Sequence, residues 1–73
     1  MAAKREQPHQ RMKRLREARR LSLQDLADAV GMSKAHTWEL ERSTERMERA
    51  SYINLCNIAA ALGVSLSVLM QSS

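Results

Sequence analysis

Residues 21–42 constrain the fold most, because they hold two short helical patterns separated by a glycine turn. Ser22 is placed to cap a first helix, and Ser33 is placed to cap a second helix that runs to residue 42. Gly31 lies between them and can adopt a positive φ without a steric penalty, so it can end the first helix and turn the chain. The first helix carries one apolar stripe, formed by Leu23, Leu26, Ala27 and Val30.

A helix, a short turn containing glycine and a second helix together form a helix-turn-helix unit. Three further helical patterns flank it. The first covers residues 8–20, with Pro8 in its first turn, where a missing N–H costs nothing. The second begins after Ser51 and ends at Gly63, and the third begins after Ser65. Because good helix formers dominate the composition, the sequence predicts an all-α fold with five helices.

The ends of the chain differ from its middle. We expect residues 1–7 to be a mobile basic arm, residues 8–70 to form one domain and residues 71–73 to be a frayed polar tail. Residues 43–50 are rich in charged side chains and hold few apolar ones. Their pattern fits either a loop or a helical extension.

Positive charge is concentrated at the amino-terminal end. The chain of 73 residues has a net charge of +4. Its first 20 residues hold eight basic and two acidic side chains, whereas the remainder holds four basic and six acidic ones. This imbalance favours a polyanionic partner, and the alternative is a basic helix face that is merely solvated.

The single cysteine and the lack of a long apolar run argue against disulfide-bonded, cysteine-metal and membrane-spanning proteins. The single cysteine, Cys56, excludes an internal disulfide and a metal site built from several cysteines, and we expect its side chain to be a small buried apolar group. The first 20 residues are too charged for a signal peptide, and no apolar run approaches the roughly 20 residues of a membrane span. We expect a cytoplasmic protein with no membrane contact, metal, cofactor or small-molecule ligand.

From about Met12 to Leu69 the chain resembles the lambda-repressor-like helix-turn-helix domains, the family of Cro, the phage repressors and the XRE regulators. The matching segments are Met12-Lys13-x-Leu15-Arg16, Leu21-Ser22, Leu26-Ala27, Val30-Gly31-Met32-Ser33, Leu40-Glu41-Arg42 and Ile58-Ala59-x-Ala61-Leu62-Gly63-Val64-Ser65-x-x-x-Leu69. The resemblance implies a compact five-helix domain that binds operator DNA, usually as a homodimer. The second helix of the helix-turn-helix unit, the recognition helix, would enter the major groove.

The resemblance also implies roles for particular residues. The base-reading positions would be Ser33, Lys34, Ala35, His36 and Glu39. The start of the preceding helix, at Ser22, Leu23 and Gln24, would bind a phosphate. Arg16 and Glu41 match positions that form an ion pair, which orients the recognition helix.

Side-chain chemistry refines some of these roles and leaves alternatives open. Lys34 fits guanine or a phosphate, and Glu39 fits cytosine N4 or an ion pair with Arg42. We expect Trp38 to pack near Met47, with stacking on the DNA backbone as the alternative. Further phosphate contacts are expected from Arg42, Arg46 and Arg49.

Several positions depart from the family pattern, and two of them lie around the start of the first helix of the unit. Arg20 stands where a glycine is frequent, and Leu23 stands where glutamine is favoured, with Gln24 one place later. The backbone N–H contact to a phosphate does not depend on the side chain that follows the cap.

The sequence therefore predicts a DNA-binding transcriptional regulator, a repressor of phage or mobile-element type. Its dimer interface is expected to use the apolar residues of the last helix and the turn before it, Val64, Leu66, Leu69 and Met70. The alternative is an antitoxin-like or other protein-interaction module that represses its own promoter. An enzyme is not expected, because the chain lacks nucleophile–base spacing and a glycine-rich phosphate loop.

Overall fold

Six α-helices, with no strand, occupy residues 5–71, which are the residues that this computed structural model describes. They are α1 (Pro8–Ala18), α2 (Leu23–Val30), α3 (Lys34–Leu40), α4 (Thr44–Arg49), α5 (Tyr52–Leu62) and α6 (Leu66–Leu69). The predicted all-α fold is confirmed. The sixth helix is α4, which lies in the segment whose conformation the sequence left open.

Serine side chains begin five of these helices. In each case the serine hydroxyl oxygen accepts a hydrogen bond from the backbone N–H three residues later, at 2.9–3.4 Å. These serines are Ser22, Ser33, Ser43, Ser51 and Ser65. Such a cap satisfies one of the N–H groups that a helix start leaves without a partner. Four of these caps were predicted, and the one at Ser43 accounts for α4.

Three residues with positive φ set the ends of the helices. Gly31 ends α2 at φ +71° and Gly63 ends α5 at φ +76°, as predicted. Arg20, one of the positions that depart from the resembled pattern, adopts φ +57° between α1 and α2. A side chain with a Cβ is strained there, so this turn carries a cost that glycine would avoid. Because of it α1 ends at Ala18, two residues earlier than predicted.

One apolar core joins all six helices. Its fully or nearly fully buried members are Met12, Leu26, Ala27, Val30, Leu40, Met47, Leu55, Ile58, Ala59, Leu62 and Leu69. Met47 is completely buried and is the residue by which α4 joins the core. Thr37 is also completely buried, and its hydroxyl donates to the Ser33 carbonyl at 2.9 Å, so no polar group is left unsatisfied there.

The end of α3 is tied to α1 by a bidentate ion pair. Arg16 donates from Nε to Glu41 Oε2 at 2.7 Å and from Nη2 to Glu41 Oε1 at 3.2 Å. Its Nη1 donates to the Leu21 carbonyl at 2.8 Å. The two side chains are only 12% and 5% exposed, and the hydrogen bonds to Glu41 raise the pKa of Arg16. The pair therefore fixes α3 against both α1 and the turn that follows it.

A second arginine of α1 ties down the end of α6. The Arg11 guanidinium is nearly buried and donates to the carbonyl oxygens of Val68, Leu69 and Gln71. It also pairs with Glu6 at 3.1 Å. Arg11 is one of the eight basic side chains counted in the first 20 residues, and the structure makes it a cap for the last helix.

The predicted arm and tail are each described only in part. Glu6 accepts hydrogen bonds from Arg11 and Arg14, and the Gln7 backbone N–H donates to the Gln10 side chain at 2.8 Å at the start of α1. The rest of the predicted arm, residues 1–4, and the last two residues of the predicted tail, 72 and 73, lie outside the described residues.

We predict that Glu41→Gln lowers the free energy of unfolding by about 3 kcal/mol, because Arg16 then keeps its charge in a nearly buried site without a counter-ion. Urea denaturation followed by circular dichroism measures this change. The matched control is Glu45→Gln, which breaks an ion pair whose side chains are 72% and 79% exposed, and we expect it to cost about 0.5 kcal/mol or less. Equal losses in the two variants would contradict the prediction.

Candidate nucleic-acid interface

The first turn of α3 is exposed on the surface of the domain. Lys34, Ala35 and His36 are exposed there, while Thr37 and Leu40 hold the opposite face of the helix in the core. Ser33 precedes them and uses its hydroxyl oxygen to accept from the His36 N–H at 3.1 Å. Four of the five predicted base-reading residues, 33–36, are therefore consecutive and accessible at one end of a rigid helix.

The fifth residue of that set, Glu39, lies one turn further along α3 and is half-buried. Its carboxylate accepts from Arg46 Nη1 at 3.1 Å. The alternative partner considered from the sequence, Arg42, is not the residue that pairs with Glu39. The carboxylate thus faces α4 rather than its own helix.

The start of α2 is closed by a reciprocal capping box. The Asp25 N–H donates to Ser22 Oγ, and the Ser22 N–H donates to Asp25 Oδ2, both at 2.9 Å. The hydrogen bond that the Ser22 backbone N–H donates to the carboxylate lowers the pKa of Asp25. Of the three residues predicted to bind a phosphate, the box uses the N–H of Ser22 and does not use those of Leu23 and Gln24. The Gln24 side chain donates along the helix to Asp28 at 2.8 Å.

Each of the three arginines predicted to contact phosphates has a partner within the chain. Arg42 lies over the ring of Trp38, with its guanidinium carbon 4.5 Å from the ring centroid. Arg46 pairs with Glu39 at 3.1 Å, and Arg49 pairs with Glu45 at 3.4 Å. All three guanidiniums are on the surface, so a phosphate can compete for them.

The Trp38 side chain stacks on Arg42, a contact that the sequence analysis did not predict, and its expected packing near Met47 stays a prediction. Met47 is completely buried in the core, whereas Trp38 is 48% exposed. The stack with Arg42 covers one face of the indole and holds the guanidinium at the end of α3. The sequence carried one signal for this pair: Arg42 follows Trp38 by four residues, a spacing that places two side chains on the same helix face.

A cleft of about 350 Å³ lies between α3 and α4. Its lining is mostly polar and consists of His36, Glu39, Leu40, Ser43, Glu45, Arg46, Arg49 and Ala50. Within residues 5–71, no three His, Cys, Asp or Glu side chains are grouped so that they could hold a metal ion. In the same part of the chain, no helix has the length and apolar character needed to cross a membrane.

The residues predicted for a dimer interface are not equally accessible. Leu69 is completely buried in the core of its own chain, so the expectation that it is left over for a second copy is wrong. Val64, Leu66 and Met70 are half-buried against the core. Among the described residues, the large apolar side chains that are exposed are Trp38, Tyr52, Ile53 and Val68.

Solved structures similar to this one include two that contain SinR. The crystal structure of SinR, a master regulator for biofilm formation, in complex with DNA has a TM-score of 0.77 at 30% identity, covering 88% of this chain and 98% of that one. The SinR protein/SinI protein complex has a TM-score of 0.76 at 30% identity, covering 86% of this chain. This chain spans 59% of the matched chain in that complex.

The family of the chain follows from a match along most of its length. A family model described as a helix-turn-helix domain matches residues 10–69. Among curated proteins the comparison found no match. The matched residues run from α1 to the end of α6, and so include the exposed turn of α3 and the ion pair that holds it. The chain belongs to the helix-turn-helix family, in its lambda-repressor-like or XRE group.

Proposed function

We propose that this chain is a sequence-specific DNA-binding transcriptional regulator that reads operator half-sites in the major groove with α3. The observation that carries the proposal is the exposed first turn of α3, whose other face is buried and whose far end is held by Arg16 and Glu41. An α-helix fits the major groove of B-DNA, and helix-turn-helix proteins present the start of the recognition helix to the bases. The DNA complex of SinR, a similar protein, supports this assignment.

The proposed base contacts follow from the chemistry of the exposed side chains. The Lys34 ammonium donates to guanine O6 and N7, and the Ala35 methyl group packs on a thymine methyl group. Ser33 and His36 lie at the edge of the same turn, within reach of a base edge or phosphate. Glu39 accepts from cytosine N4.

The proposed phosphate contacts surround this turn. The free N–H groups of Leu23 and Gln24 at the start of α2 bind one phosphate, beside the Ser22 cap. Arg42, Arg46 and Arg49 bind the backbone on the side of α4 after exchanging their present partners. Such contacts set the affinity and the position of the protein on DNA, while the base contacts set its sequence preference.

We extend the proposal to a repressor of phage or mobile-element type that acts by binding rather than by catalysis. A regulator that occupies a promoter blocks transcription without a further activity of its own. The resemblance to phage repressors supports this extension. We propose that the protein acts in the cytoplasm, because the operator DNA is there. No cofactor or small-molecule ligand is part of the proposal.

We also propose that the chain binds DNA as a homodimer. A second copy would cover the apolar side chains at the end of the chain, where Val64, Leu66 and Met70 are half-buried and Val68 is 43% exposed. Two copies related by a twofold axis would read two half-sites about 10 bp apart on one face of the DNA.

A second candidate is a protein-interaction module. The similarity to SinR in its complex with SinI favours it, as do two neighbouring apolar side chains at the start of α5, Tyr52 at 74% and Ile53 at 67% exposure. An antitoxin-like partner that also represses its own promoter would combine both functions. A partner recovered with the wild type but not with Ile53→Glu would support this candidate.

We predict that Lys34→Ala weakens binding to the best duplex from a random-sequence selection by about 5- to 100-fold, because a bidentate contact to guanine is lost. Lys13→Ala removes a charge that is also exposed, on α1, and should change the affinity by less than about twofold. Fluorescence anisotropy of a labelled duplex measures both. An equal loss on the selected duplex and on a shuffled duplex would show that Lys34 contacts only phosphate.

For the dimer, we predict that Val68→Glu raises the dissociation constant of self-association at least about tenfold, because an unpaired carboxylate enters the interface. Analytical ultracentrifugation with and without the selected duplex measures it. Ile53→Glu is the matched control, since it changes an exposed apolar residue outside the proposed interface. Dissociation caused by Ile53→Glu and not by Val68→Glu would place the interface at the start of α5 and contradict the proposal.

A further inference from the structure

We propose that Glu39 is a specificity-determining residue that holds Arg46 away from the DNA backbone until the correct base pair is engaged. This inference rests on the proposed function, since it concerns the same DNA-binding surface. It assigns one carboxylate two exchangeable partners, an arginine of the protein and a base of the operator.

The geometry joins a base-reading position to a phosphate-binding one. Glu39 lies on α3, one turn after the exposed Ala35 and His36, and Arg46 lies on α4. Their hydrogen bond of 3.1 Å crosses the cleft between the two helices, which His36 also lines. The side chains of Glu39 and Arg46 are 41% and 60% exposed, so DNA can reach both of them.

Exposed ion pairs of this kind are weak and open readily in water. A DNA phosphate is therefore a competent competitor for the Arg46 guanidinium. This exchange, however, leaves the Glu39 carboxylate without a partner next to the DNA phosphates. Repulsion between these negative charges disfavours the exchange. A hydrogen-bond donor on a base edge, such as cytosine N4, removes that obstacle because it gives the carboxylate a new partner.

Two consequences follow for recognition. On the correct sequence, Glu39 transfers to the base and Arg46 becomes free to bind a phosphate. On other sequences, Glu39 keeps Arg46, and the protein forms one phosphate contact fewer. The base contact and the backbone contact are thus gained or lost together, which raises discrimination above that of either contact alone.

A second ion pair provides an internal comparison. Glu45 and Arg49 form the same kind of contact at 3.4 Å, with side chains 72% and 79% exposed. Both residues lie on α4, so neither is at a position that reads bases. Exchange of Arg49 from Glu45 to a phosphate should therefore be independent of DNA sequence.

The test is a double-mutant cycle of Glu39→Gln and Arg46→Gln, with Glu45→Gln as control. The affinity of each variant is measured against salt concentration, on the best duplex from a random-sequence selection and on a shuffled duplex of the same composition. The slope of log affinity against log salt counts phosphate contacts, at about 0.9 per contact. Urea denaturation of each variant checks that the fold is intact.

On the shuffled duplex, Glu39→Gln should strengthen binding about threefold and steepen the slope by about 0.9, since Arg46 is released. In the Arg46→Gln background the same change should leave the slope unaltered. On the selected duplex, Glu39→Gln should leave the slope unchanged and weaken binding about 2- to 10-fold, because the neutral amide oxygen is a weaker acceptor for cytosine N4 than the carboxylate. Glu45→Gln should shift both duplexes equally.

Other results overturn the inference. An unchanged slope for Glu39→Gln on the shuffled duplex, or an equal gain in affinity with and without Arg46, would reduce Glu39 to a group that merely repels phosphates. A wild type that binds both duplexes equally would overturn the proposed sequence specificity, while the cycle still reports whether Glu39 restrains Arg46. A wild type that binds neither duplex would overturn the proposed function and the inference together.

Discussion

The ion pair between Arg16 and Glu41 fixes the helix on which the proposed recognition depends. Helix α3 has seven residues, and a helix of that length is not stable in water without help from its surroundings. Ser33 caps its start, Thr37 and Leu40 bury one face, and the bidentate pair holds its end against α1. The first turn is consequently presented outward in one orientation, which a base-reading surface requires.

Arg11 has a related role at the other end of α1, and together the two arginines compensate for a small core. The chain has only two aromatic residues, Trp38 and Tyr52, and both are exposed. Packing therefore depends on aliphatic and methionine side chains. Arg11 adds hydrogen bonds to three carbonyls at the end of the chain, so α1 connects the start of the fold to its last helix. Both arginines belong to the basic amino-terminal third, part of which is thus structural rather than available to a polyanion.

Features that depend on neighbouring residues were predictable from the sequence, and features that depend on distant contacts were not. The caps at Ser22 and Ser33 and the turn at Gly31 follow from local chemistry, and they define the helix-turn-helix unit. The burial of Arg11 depends on carbonyls 57 to 60 residues away, for which no local pattern exists. Helix α4 was left open because Met47 alone ties it to the core, although Ser43 and Glu45 carried a usable cap signal.

The candidate site divides in the same way. The exposure of residues 33–36 follows from helix periodicity once Thr37 and Leu40 are assigned to the core. The partners of the surface arginines do not follow from helix periodicity, because a flexible guanidinium can reach several carboxylates or rings at a similar cost in free energy. The stack of Arg42 on Trp38 and the pair of Arg46 with Glu39 were therefore not predicted, and Leu69 was assigned to an interface although the core of its own chain uses it.

The most direct test of the central claim is amide chemical-shift mapping by NMR, with and without an excess of the selected duplex. The largest changes should occur in the first turns of α2 and α3 and along α4, because these segments carry the proposed base and phosphate contacts. Changes confined to the exposed basic face of α1, around Lys13 and Arg14, would contradict the claim. In that case the basic segment would be a nonspecific anchor, and α3 would not be the helix that reads DNA.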